Sequence, residues 1–318
     1  MSKKGKKLML NDSNMDTRNQ YKAWLYLSPA LILLFVFSFY PLLNTFRVAF
    51  LNGYDGMAAG DKYSFGIENF KTIISNPDFT VCLKNTLLLC VITVPISTTL
   101  ALLIAVALNS IKPLQKVFQT VFFLPYVTNS IAIGMVFSTM FTRVGPPDDP
   151  DTWGLINNLL GLFHINPISF VNYDSSWGAN MFVVCTYIVW HALPFKILVL
   201  LGGLQSVNKQ YYEAAKIDGT SKVRTFFKIT VPLVSPMLAY VIITSFIGGF
   251  KEYSSIVGIF GESMGPKGGQ MNTIVGLVYN SLDNAKQGYA AAASLILFVI
   301  ILIVTAINGY VSKKKVHY

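Results

Sequence analysis

Charged residues are scarce in this chain of 318 residues. Asp, Glu, Lys and Arg make up only 13% of the sequence, whereas 53% of the residues are hydrophobic. An ordinary soluble domain has about a quarter charged residues. The composition therefore excludes an ordinary soluble globular protein, and the high hydrophobic content excludes an intrinsically disordered one.

Residues that build catalytic and metal sites are also few. The chain has three cysteines and three histidines, and no H-E-x-x-H zinc motif or G-x-x-x-x-G-K-[ST] phosphate loop. The cysteines lie in or beside apolar runs, at Cys82, Cys90 and Cys185. Such positions predict small packing residues, not a disulfide framework or a metal site. We expect no enzyme activity and no cofactor in this chain, so that any energy input comes from another chain.

Long stretches without charge dominate what is present. They cover residues 23–46, 85–111, 117–142, 175–195, 229–250 and 287–312. Each is long enough for a helix that crosses a bilayer, which needs about 20 apolar residues. A seventh run, 152–173, is rich in Asn and is interpreted as an extramembrane or interfacial helix and loop. The sequence predicts an all-α polytopic membrane protein with six transmembrane helices, at about 23–46, 85–111, 117–142, 175–203, 233–257 and 287–312.

Basic residues collect on one side of these six spans. The tail 1–22, the second–third connection, the loop 204–232 and the tail 313–318 together hold 16 of the 25 Lys and Arg residues and four of the 15 acidic residues. Because Lys and Arg favour cytoplasmic segments, both termini and this loop are predicted to be cytoplasmic. A seventh span would destroy this asymmetry. No basic stripe is interleaved with aromatic residues, so we expect no nucleic-acid partner.

The connection between the fourth and fifth spans carries the most local information. Ser206 or Asn208 can cap a short helix over 209–217. Gly219 suits the left-handed position that closes such a helix. Ser221 can cap a second helix that continues into the membrane. The pattern predicts a helix–turn–helix at the membrane surface.

The turn of this helix–turn–helix combines small residues with two charges. Ala214, Ala215 and Gly219 would let a partner approach closely, and Glu213 and Asp218 offer charge. From the residues alone, an ordinary interspan loop with a glycine turn remains an open alternative.

A longer pattern in the same loop is more specific. The residues Glu213-Ala214-Ala215, Asp218-Gly219, Ile229 and Pro232 resemble the EAA loop of binding-protein-dependent ABC importer permeases. Flanking segments resemble the maltose-type sugar permeases, namely Ser28-Pro29-Ala30, Tyr40-Pro41, Asn69-Phe70, Phe122-Phe123-Leu124-Pro125-Tyr126, Gly154-Leu155-Ile156-Asn157 and Gly288-Tyr289-Ala290-Ala291-Ala292. The resemblance covers roughly residues 20–312 and implies the type I ABC importer permease architecture.

The resemblance implies partners and a coupling surface. In the family, the short helix of the EAA loop inserts into a cleft on an ATPase subunit. The implied coupling residues are Glu213, Ala214, Ala215, Asp218 and Gly219. Glu213 would pair with a basic residue of the ATPase. The implied assembly holds a second homologous permease, two ATPase subunits that bind ATP and Mg, and an extracellular solute-binding protein. This chain has Asn208-Lys209 where the family often has Pro, and Asn is itself a good cap.

Polar residues within the spans are candidates for a substrate pathway, because such residues usually face a bundle interior or a wet cavity. His191 and Lys196 lie in the fourth span, and Lys251 and Glu252 lie in the outer half of the fifth. Lys251 and Glu252 could instead neutralise neighbours or lie at the interface. Lys196 could equally make an interior contact or extend its stem toward water.

By resemblance, the sugar-facing positions are Trp190, Ala192, Phe195, Ser245, Gly249 and Glu252. Aromatic rings stack on the apolar faces of sugars, and hydroxyl and carboxylate groups bind sugar hydroxyls. The chain departs from the family at Gly248 and Gly249, where bulk and an amide are lost. Three alternatives stay open at these glycines: a wider site, a substrate held mainly by the partner permease, or close helix packing.

The sequence thus predicts a permease subunit of an ABC importer for a sugar or oligosaccharide, in the plasma membrane of a prokaryote, working by alternating access. A permease for another polar solute, such as a glycerol phosphodiester, is the nearest alternative. A membrane-embedded enzyme is disfavoured because no catalytic constellation is visible. A secondary transporter should show inverted repeats and discontinuous spans in both halves.

Overall fold

The chain is helical, as predicted. The computed structural model describes residues 20–56, 63–111, 115–143 and 153–315. The helices of eight or more residues in these ranges are α1 (Gln20–Leu34), α2 (Tyr40–Ala49), α3 (Glu68–Ser75), α4 (Pro77–Ser110), α5 (Gln115–Phe123), α6 (Ser130–Phe141), α7 (Leu155–Leu162), α8 (Trp177–Ser206), α9 (Gln210–Ile217), α10 (Ser235–Phe250), α11 (Ile274–Asp283) and α12 (Gln287–Lys315). Extended pairing in the same ranges is limited to two isolated bridges, Leu51 with Phe65 and Arg143 with Trp153. Most of the predicted tail 1–22 and residues 316–318 of the tail 313–318 lie outside the described residues.

By length and composition, the described residues contain four helices that can cross a membrane, or up to six spans if each of two bent pairs forms one span. Four helical stretches are long and apolar enough by themselves, namely Lys22–Ala49, Pro77–Ser110, Trp177–Ser206 and Gln287–Lys313. Two more pass only as bent pairs, Val117–Val127 with Ser130–Phe141 at 94° and Lys222–Leu233 with Ser235–Phe250 at 70°. Within residues 153–173, the described part of the seventh apolar run, the helix is α7, whose eight residues are too few to span a bilayer.

The fifth predicted span, 233–257, is not one helix. Helix α10 ends at Phe250, and a separate helix, Ser254–Phe260, follows. Two glycines weaken the end of α10, because glycine costs about 1 kcal/mol relative to alanine inside a helix. The carboxylate of Glu252 accepts a hydrogen bond from the backbone N–H of Ser255 (3.2 Å) and so helps to begin the next helix. A break of this kind between two apolar helices cannot be predicted from hydropathy alone.

The third predicted span, 117–142, is also interrupted. Helix α5 passes into a 3-10 turn, Leu124–Val127, that contains Pro125. Helix α6 then begins afresh, with Asn129 accepting a hydrogen bond from the N–H of Ile131 (2.9 Å). Proline lacks the backbone N–H that a regular helix turn uses, and Asn is a strong N-cap, so both residues favour the bend.

Three apolar clusters hold the bundle together. One joins α2, α3, the first half of α4, the end of α10, α11 and the Ala291–Leu297 part of α12. A second joins α6, the first half of α8 and the helix Ser254–Phe260. The third joins the last halves of α4 and α8 to α10. Helices α4 and α8 therefore run parallel through the centre, and both end near the 204–232 loop.

The segment between Phe260 and α11 is fastened to the opposite end of this central pair. The amide of Asn85 donates hydrogen bonds to the backbone oxygens of Gln270 and Asn272 (2.9 Å each). Its Oδ1 accepts a hydrogen bond from Trp177 Nε1 (2.9 Å). Lys84 Nζ lies 4.7 Å from the centre of the Trp177 ring. One buried amide thus links α4, α8 and the segment before α11.

Candidate substrate cavity and coupling loop

A cavity of about 260 Å³ lies between α4, α8 and α10. Its wall is formed by Thr93, Val94, Ser97, Tyr126, Ile188, His191, Ala192, Phe195, Lys196, Thr244, Ser245, Gly248, Gly249, Glu252 and Ser255. The positions on each helix recur at intervals of three or four residues, which places them on one face. The cavity is therefore built from the polar stripes of otherwise apolar spans.

Five of the six substrate positions predicted by resemblance line this cavity: Ala192, Phe195, Ser245, Gly249 and Glu252. Trp190 does not. Its indole packs against Phe137, with the ring centres 5.4 Å apart. The next residue, His191, is the one that lines the cavity.

Lys196 is the cation of the cavity wall. Its side chain is 4% exposed, and Nζ donates hydrogen bonds to Ser97 Oγ (2.6 Å) and Thr98 Oγ1 (3.2 Å). Ser97 in turn donates to the backbone oxygen of Thr93. Of the two alternatives for Lys196, the structure shows the interior contact. This contact connects α8 to the hydroxyl groups of Ser97 and Thr98 on α4.

Glu252 and His191 lie at another part of the same wall. Besides its carboxylate contact with Ser255, Glu252 accepts a hydrogen bond from Thr273 Oγ1 through its backbone oxygen (2.9 Å). The imidazole of His191 stacks on Tyr187 with the ring centres 5.7 Å apart. Lys251 is exposed, and the ion pairs found among the described residues do not include it.

The two departures from the family pattern have different surroundings. A Cβ added at Gly248 would meet no atom within 4 Å, so this glycine widens the cavity. A Cβ added at Gly249 would lie 3.0 Å from the Sγ of Cys90. Two of the alternatives raised by the sequence therefore occur, a wider site at Gly248 and close helix packing at Gly249.

Several residues of the cavity wall were not predicted from the sequence. Tyr126 stacks on Phe195 with the ring centres 5.8 Å apart and the planes inclined by 19°. Thr93 and Ser97 come from α4 and carry hydroxyl groups, which a criterion based on ionisable side chains does not select. Their spacing of four, within an apolar run, is the signal that could have identified them.

A second, larger cavity lies at the end of the bundle opposite the 204–232 loop. Its volume is about 680 Å³, and its wall includes Asn76, Asp78, Lys267, Asn280 and Lys286. Much of this wall consists of polar side chains that are hydrogen-bonded to neighbouring residues. For example, the amide of Asn76 donates a hydrogen bond to the hydroxyl of Tyr289 (2.9 Å). This cavity lies outside the apolar centre of the bundle.

The loop 204–232 forms the predicted helix–turn–helix. Helix α9 covers Gln210–Ile217, and Asn208 Oδ1 accepts a hydrogen bond from the N–H of Gln210 (3.0 Å). The hydroxyl of Ser206 instead donates to the backbone oxygen of Gly203. Ser221 caps the next helix by accepting a hydrogen bond from the N–H of Arg224 (3.3 Å). Asn208, rather than Ser206, is thus the first cap.

Gly219 closes α9 in the left-handed region, with φ of +65°. The N–H of Thr220 donates to the oxygen of Ala215 (2.9 Å), and the N–H of Gly219 donates to the oxygen of Lys216 (3.1 Å). This is the hydrogen-bond pattern of a glycine-terminated helix. A Cβ at Gly219 would meet no atom within 4 Å, so only the backbone conformation restricts this position.

The coupling residues implied by resemblance do not all share one surface. Glu213, Ala214, Asp218 and Gly219 are exposed. Ala215 is only 6% exposed and faces the chain itself. The prediction that Ala215 lies on the exposed turn is therefore wrong, because successive residues of α9 point in different directions and Ala215 is on the inward face.

A hydrolase-like pattern also occurs in the sequence. Gly261-Glu262-Ser263-Met264-Gly265 fits G-x-S-x-G. In hydrolases that use this pattern, the serine lies on a sharp turn between a strand and a helix. Here the segment follows the helix Ser254–Phe260, and Ser263 Oγ donates to the backbone oxygen of Phe260 (3.0 Å). The structural context of a nucleophile elbow is not present in this segment.

The part of the sequence that forms most of the cavity wall and the loop 204–232 matches a known protein family. A family profile described as "Binding-protein-dependent transport system inner membrane component" matches residues 97–317. The chain belongs to this family. The matched region contains the whole 204–232 loop and nearly all of the cavity wall. The description as an inner membrane component, together with the long apolar helices, supports a multi-pass membrane protein. The resemblance drawn from the EAA loop is thereby confirmed.

Individual relatives extend this similarity over most of the chain. The arabinooligosaccharides transport system permease protein AraP of Bacillus subtilis strain 168 is 30% identical over 90% of this chain and 86% of its own length. The lactose transport system permease protein LacF of Rhizobium radiobacter is 29% identical over 92% of this chain and 94% of its own length.

A solved structure shares the fold. A chain of a bacterial ABC transporter involved in the import of the acidic polysaccharide alginate superposes with a TM-score of 0.78, covers 94% of this chain and 98% of its own, and is 20% identical. At this identity, the match supports the architecture expected for an importer permease and carries no information on substrate.

Proposed function

We propose that this chain is a transmembrane permease subunit of an ATP-driven importer that translocates a sugar or oligosaccharide. The cavity within the bundle is the observation that carries the proposal. It combines the aromatic rings of Tyr126 and Phe195 with the hydroxyls of Thr93, Ser97 and Ser245. Stacking faces and hydroxyl partners are what a saccharide requires. AraP and LacF are named as sugar permeases, which supports the same substrate class.

The cavity volume favours a site shared with a second permease. Pockets for small molecules usually have volumes of about 300–1,000 Å³, whereas this cavity has about 260 Å³. An oligosaccharide needs more wall than this chain supplies. The proposed assembly therefore pairs this chain with a homologous permease, two ATPase subunits that hold ATP and Mg, and an extracellular solute-binding protein.

The proposed coupling surface is the exposed face of α9 and its turn. It consists of Glu213, Ala214, Asp218 and Gly219. Ile217 is 87% exposed on the same short helix. Tyr211 and Val223 of the same loop are also large apolar side chains that are exposed, at 55% and 68%. A group of such side chains is typical of a surface that a partner covers. Closure of the ATPase pair would move this helix and open the cavity toward the docked binding protein.

The proposed orientation puts both termini and the 204–232 loop in the cytoplasm, as the Lys and Arg bias indicates. Two exposed positions test it, Tyr173 (81% exposed) and Ile217 (87% exposed). In a variant whose three cysteines are replaced by alanine, a membrane-impermeant maleimide added to intact cells should label Tyr173→Cys and leave Ile217→Cys unmodified until the cells are opened. Labelling of Ile217→Cys in intact cells would contradict the orientation.

Co-purification and coupled hydrolysis test the function itself. The tagged permease should isolate an ATPase subunit and a second permease from its own membranes. In proteoliposomes, the cognate binding protein loaded with its saccharide should stimulate ATP hydrolysis and drive saccharide uptake. A permease that purifies without an ATPase subunit, or uptake that persists without ATP, would overturn the proposal.

A further inference from the structure

Lys196 is the feature of the cavity that a neutral sugar does not explain. The ammonium group is almost completely buried in the central part of a helix that is long and apolar enough to cross a membrane. Removing such a charge from water costs several kcal/mol unless an opposite charge or a full set of hydrogen bonds compensates. Buried cations in membrane segments therefore mark functional sites by default.

The partners of Lys196 satisfy only part of this need. An ammonium group has three donors, and two of them are accounted for by Ser97 Oγ and Thr98 Oγ1. Both partners are neutral hydroxyls. Across residues 20–56, 63–111, 115–143 and 153–315, the ion pairs within 4.0 Å are Lys71 with Glu68 and Arg143 with Asp174. Lys196 thus faces the cavity without a carboxylate of this chain beside it.

The other charged group of the wall is engaged elsewhere. The carboxylate of Glu252 accepts the hydrogen bond from the N–H of Ser255, at the start of the helix Ser254–Phe260. It does not approach Lys196 within ion-pair distance. The Lys196 ammonium is therefore a separate positive charge on the cavity wall. Hydrogen bonds to α4 hold it in place, and polar wall residues surround it.

We propose that Lys196 is a specificity-determining residue that binds an anionic group on the transported solute. The solute class is a glycoside that carries a carboxylate or a phosphate. The anion would supply the charge that Lys196 lacks, while Ser97 and Thr98 hold the ammonium in place before the solute arrives. A preorganised cation loses little freedom on binding, which favours a contact with a charged group. This inference rests on the proposed function, because it assigns a substrate class to the proposed cavity.

Direct binding to the purified permease–ATPase complex tests the proposal, because it bypasses the selectivity of the binding protein. The probes are two matched pairs, 4-nitrophenyl β-glucuronide with 4-nitrophenyl β-glucoside, and glucose 6-phosphate with glucose. Saturation-transfer NMR measures their dissociation constants at millimolar levels. We expect at least one anionic probe to bind about tenfold tighter than its neutral partner. The pair that shows the preference distinguishes a carboxylate from a phosphate.

Three variants separate recognition of the anion from a structural role of the lysine. Lys196→Met should remove the preference while the neutral probe keeps its affinity. Lys196→Arg should retain the preference, because the charge remains. Thr98→Val removes one hydroxyl partner outside the cavity wall and should leave most of the preference. If Lys196→Met does not insert into the membrane, the assignment is decided by whether the wild-type complex and Lys196→Arg bind the anionic probe more tightly than its neutral partner.

Two results would overturn the assignment. One is equal affinity of the wild-type complex for both members of each pair, including no binding of any probe, as expected if a partner permease supplies the counter-charge. The other is an anion preference that persists in Lys196→Met. Failure of the proposed function is a separate result, the absence of an ATPase subunit from the purified complex or of stimulation by a loaded binding protein.

Discussion

Lys196 Nζ and Ser97 Oγ lie 2.6 Å apart across the contact between α8 and α4. The two helices run parallel through the centre of the bundle, and this hydrogen bond places a cation on the wall of the cavity between them. Ser97 belongs to the polar stripe of α4 and Lys196 to that of α8, so the bond also shows how the cavity is built. Each span is apolar overall, and each contributes one narrow polar face.

Glu252 is predicted to act in transport through its carboxylate. Glu252→Ala should reduce saccharide uptake about tenfold, because a hydrogen bond to a charged group contributes about 1.5–3 kcal/mol. Glu252→Gln keeps an oxygen that can accept the Ser255 N–H, and so it separates the charge from the local cap. Uptake by reconstituted complexes, normalised to assembled permease, is the measurement. Wild-type uptake in Glu252→Ala would remove Glu252 from the pathway.

Gly249 is predicted to be limited by packing, and Gly248 is its matched control. Gly249→Ala would bring a Cβ to 3.0 Å from the Sγ of Cys90, whereas Gly248→Ala meets no atom within 4 Å. Overpacking of this kind costs about 1–3 kcal/mol. The melting temperature of the complex should fall in Gly249→Ala and recover in the double variant with Cys90→Ala. It should not fall in Gly248→Ala, where alanine meets no neighbour and is the better helix former. Equal melting temperatures of Gly248→Ala and Gly249→Ala would contradict the prediction that Gly249 packs closely against Cys90.

Asn85 is predicted to hold the segment before α11 in place. Asn85→Leu has similar volume but leaves Trp177 Nε1 and two backbone oxygens without their hydrogen bonds. Each buried group left unsatisfied costs about 1–3 kcal/mol. Hydrogen exchange in residues 261–273 should accelerate, while the exposed control Asn284→Leu should change stability by no more than about 0.5 kcal/mol. Unchanged exchange in Asn85→Leu would show that other contacts suffice.

The sequence predicted the features that depend on local chemistry. The six apolar runs, the cap at Asn208 and the left-handed closure at Gly219 follow from hydropathy, hydrogen-bonding capacity and the missing Cβ. The family resemblance followed from the same loop. These features need no knowledge of the neighbouring helices.

The features that the sequence predicted wrongly, or did not predict, depend on how the helices pack. The orientation of Trp190 toward Phe137, the burial of Ala215 and the break after Phe250 are set by neighbours distant in sequence. Gly248 and Gly249 illustrate the limit most clearly. The two residues are identical and adjacent, and only the position of Cys90 distinguishes their roles.

The coupling role of the 204–232 loop is the central claim, and Gly219→Val tests it most directly. With φ of +65° at this position, a β-branched residue costs roughly 1–2 kcal/mol in backbone strain. It also adds volume on the surface proposed to enter the ATPase cleft. Asn tolerates the left-handed conformation, so Gly219→Asn should be milder. Gly309→Val is the control, because Gly309 also has open space around it and no left-handed φ.

The measurement is ATP hydrolysis by the reconstituted complex, with and without loaded binding protein, at equal amounts of inserted permease. The account predicts that Gly219→Val abolishes either assembly with the ATPase or the stimulation by binding protein, whereas Gly309→Val retains both. Normal assembly, normal stimulation and normal uptake in Gly219→Val would contradict the claim that this loop couples ATP hydrolysis to transport.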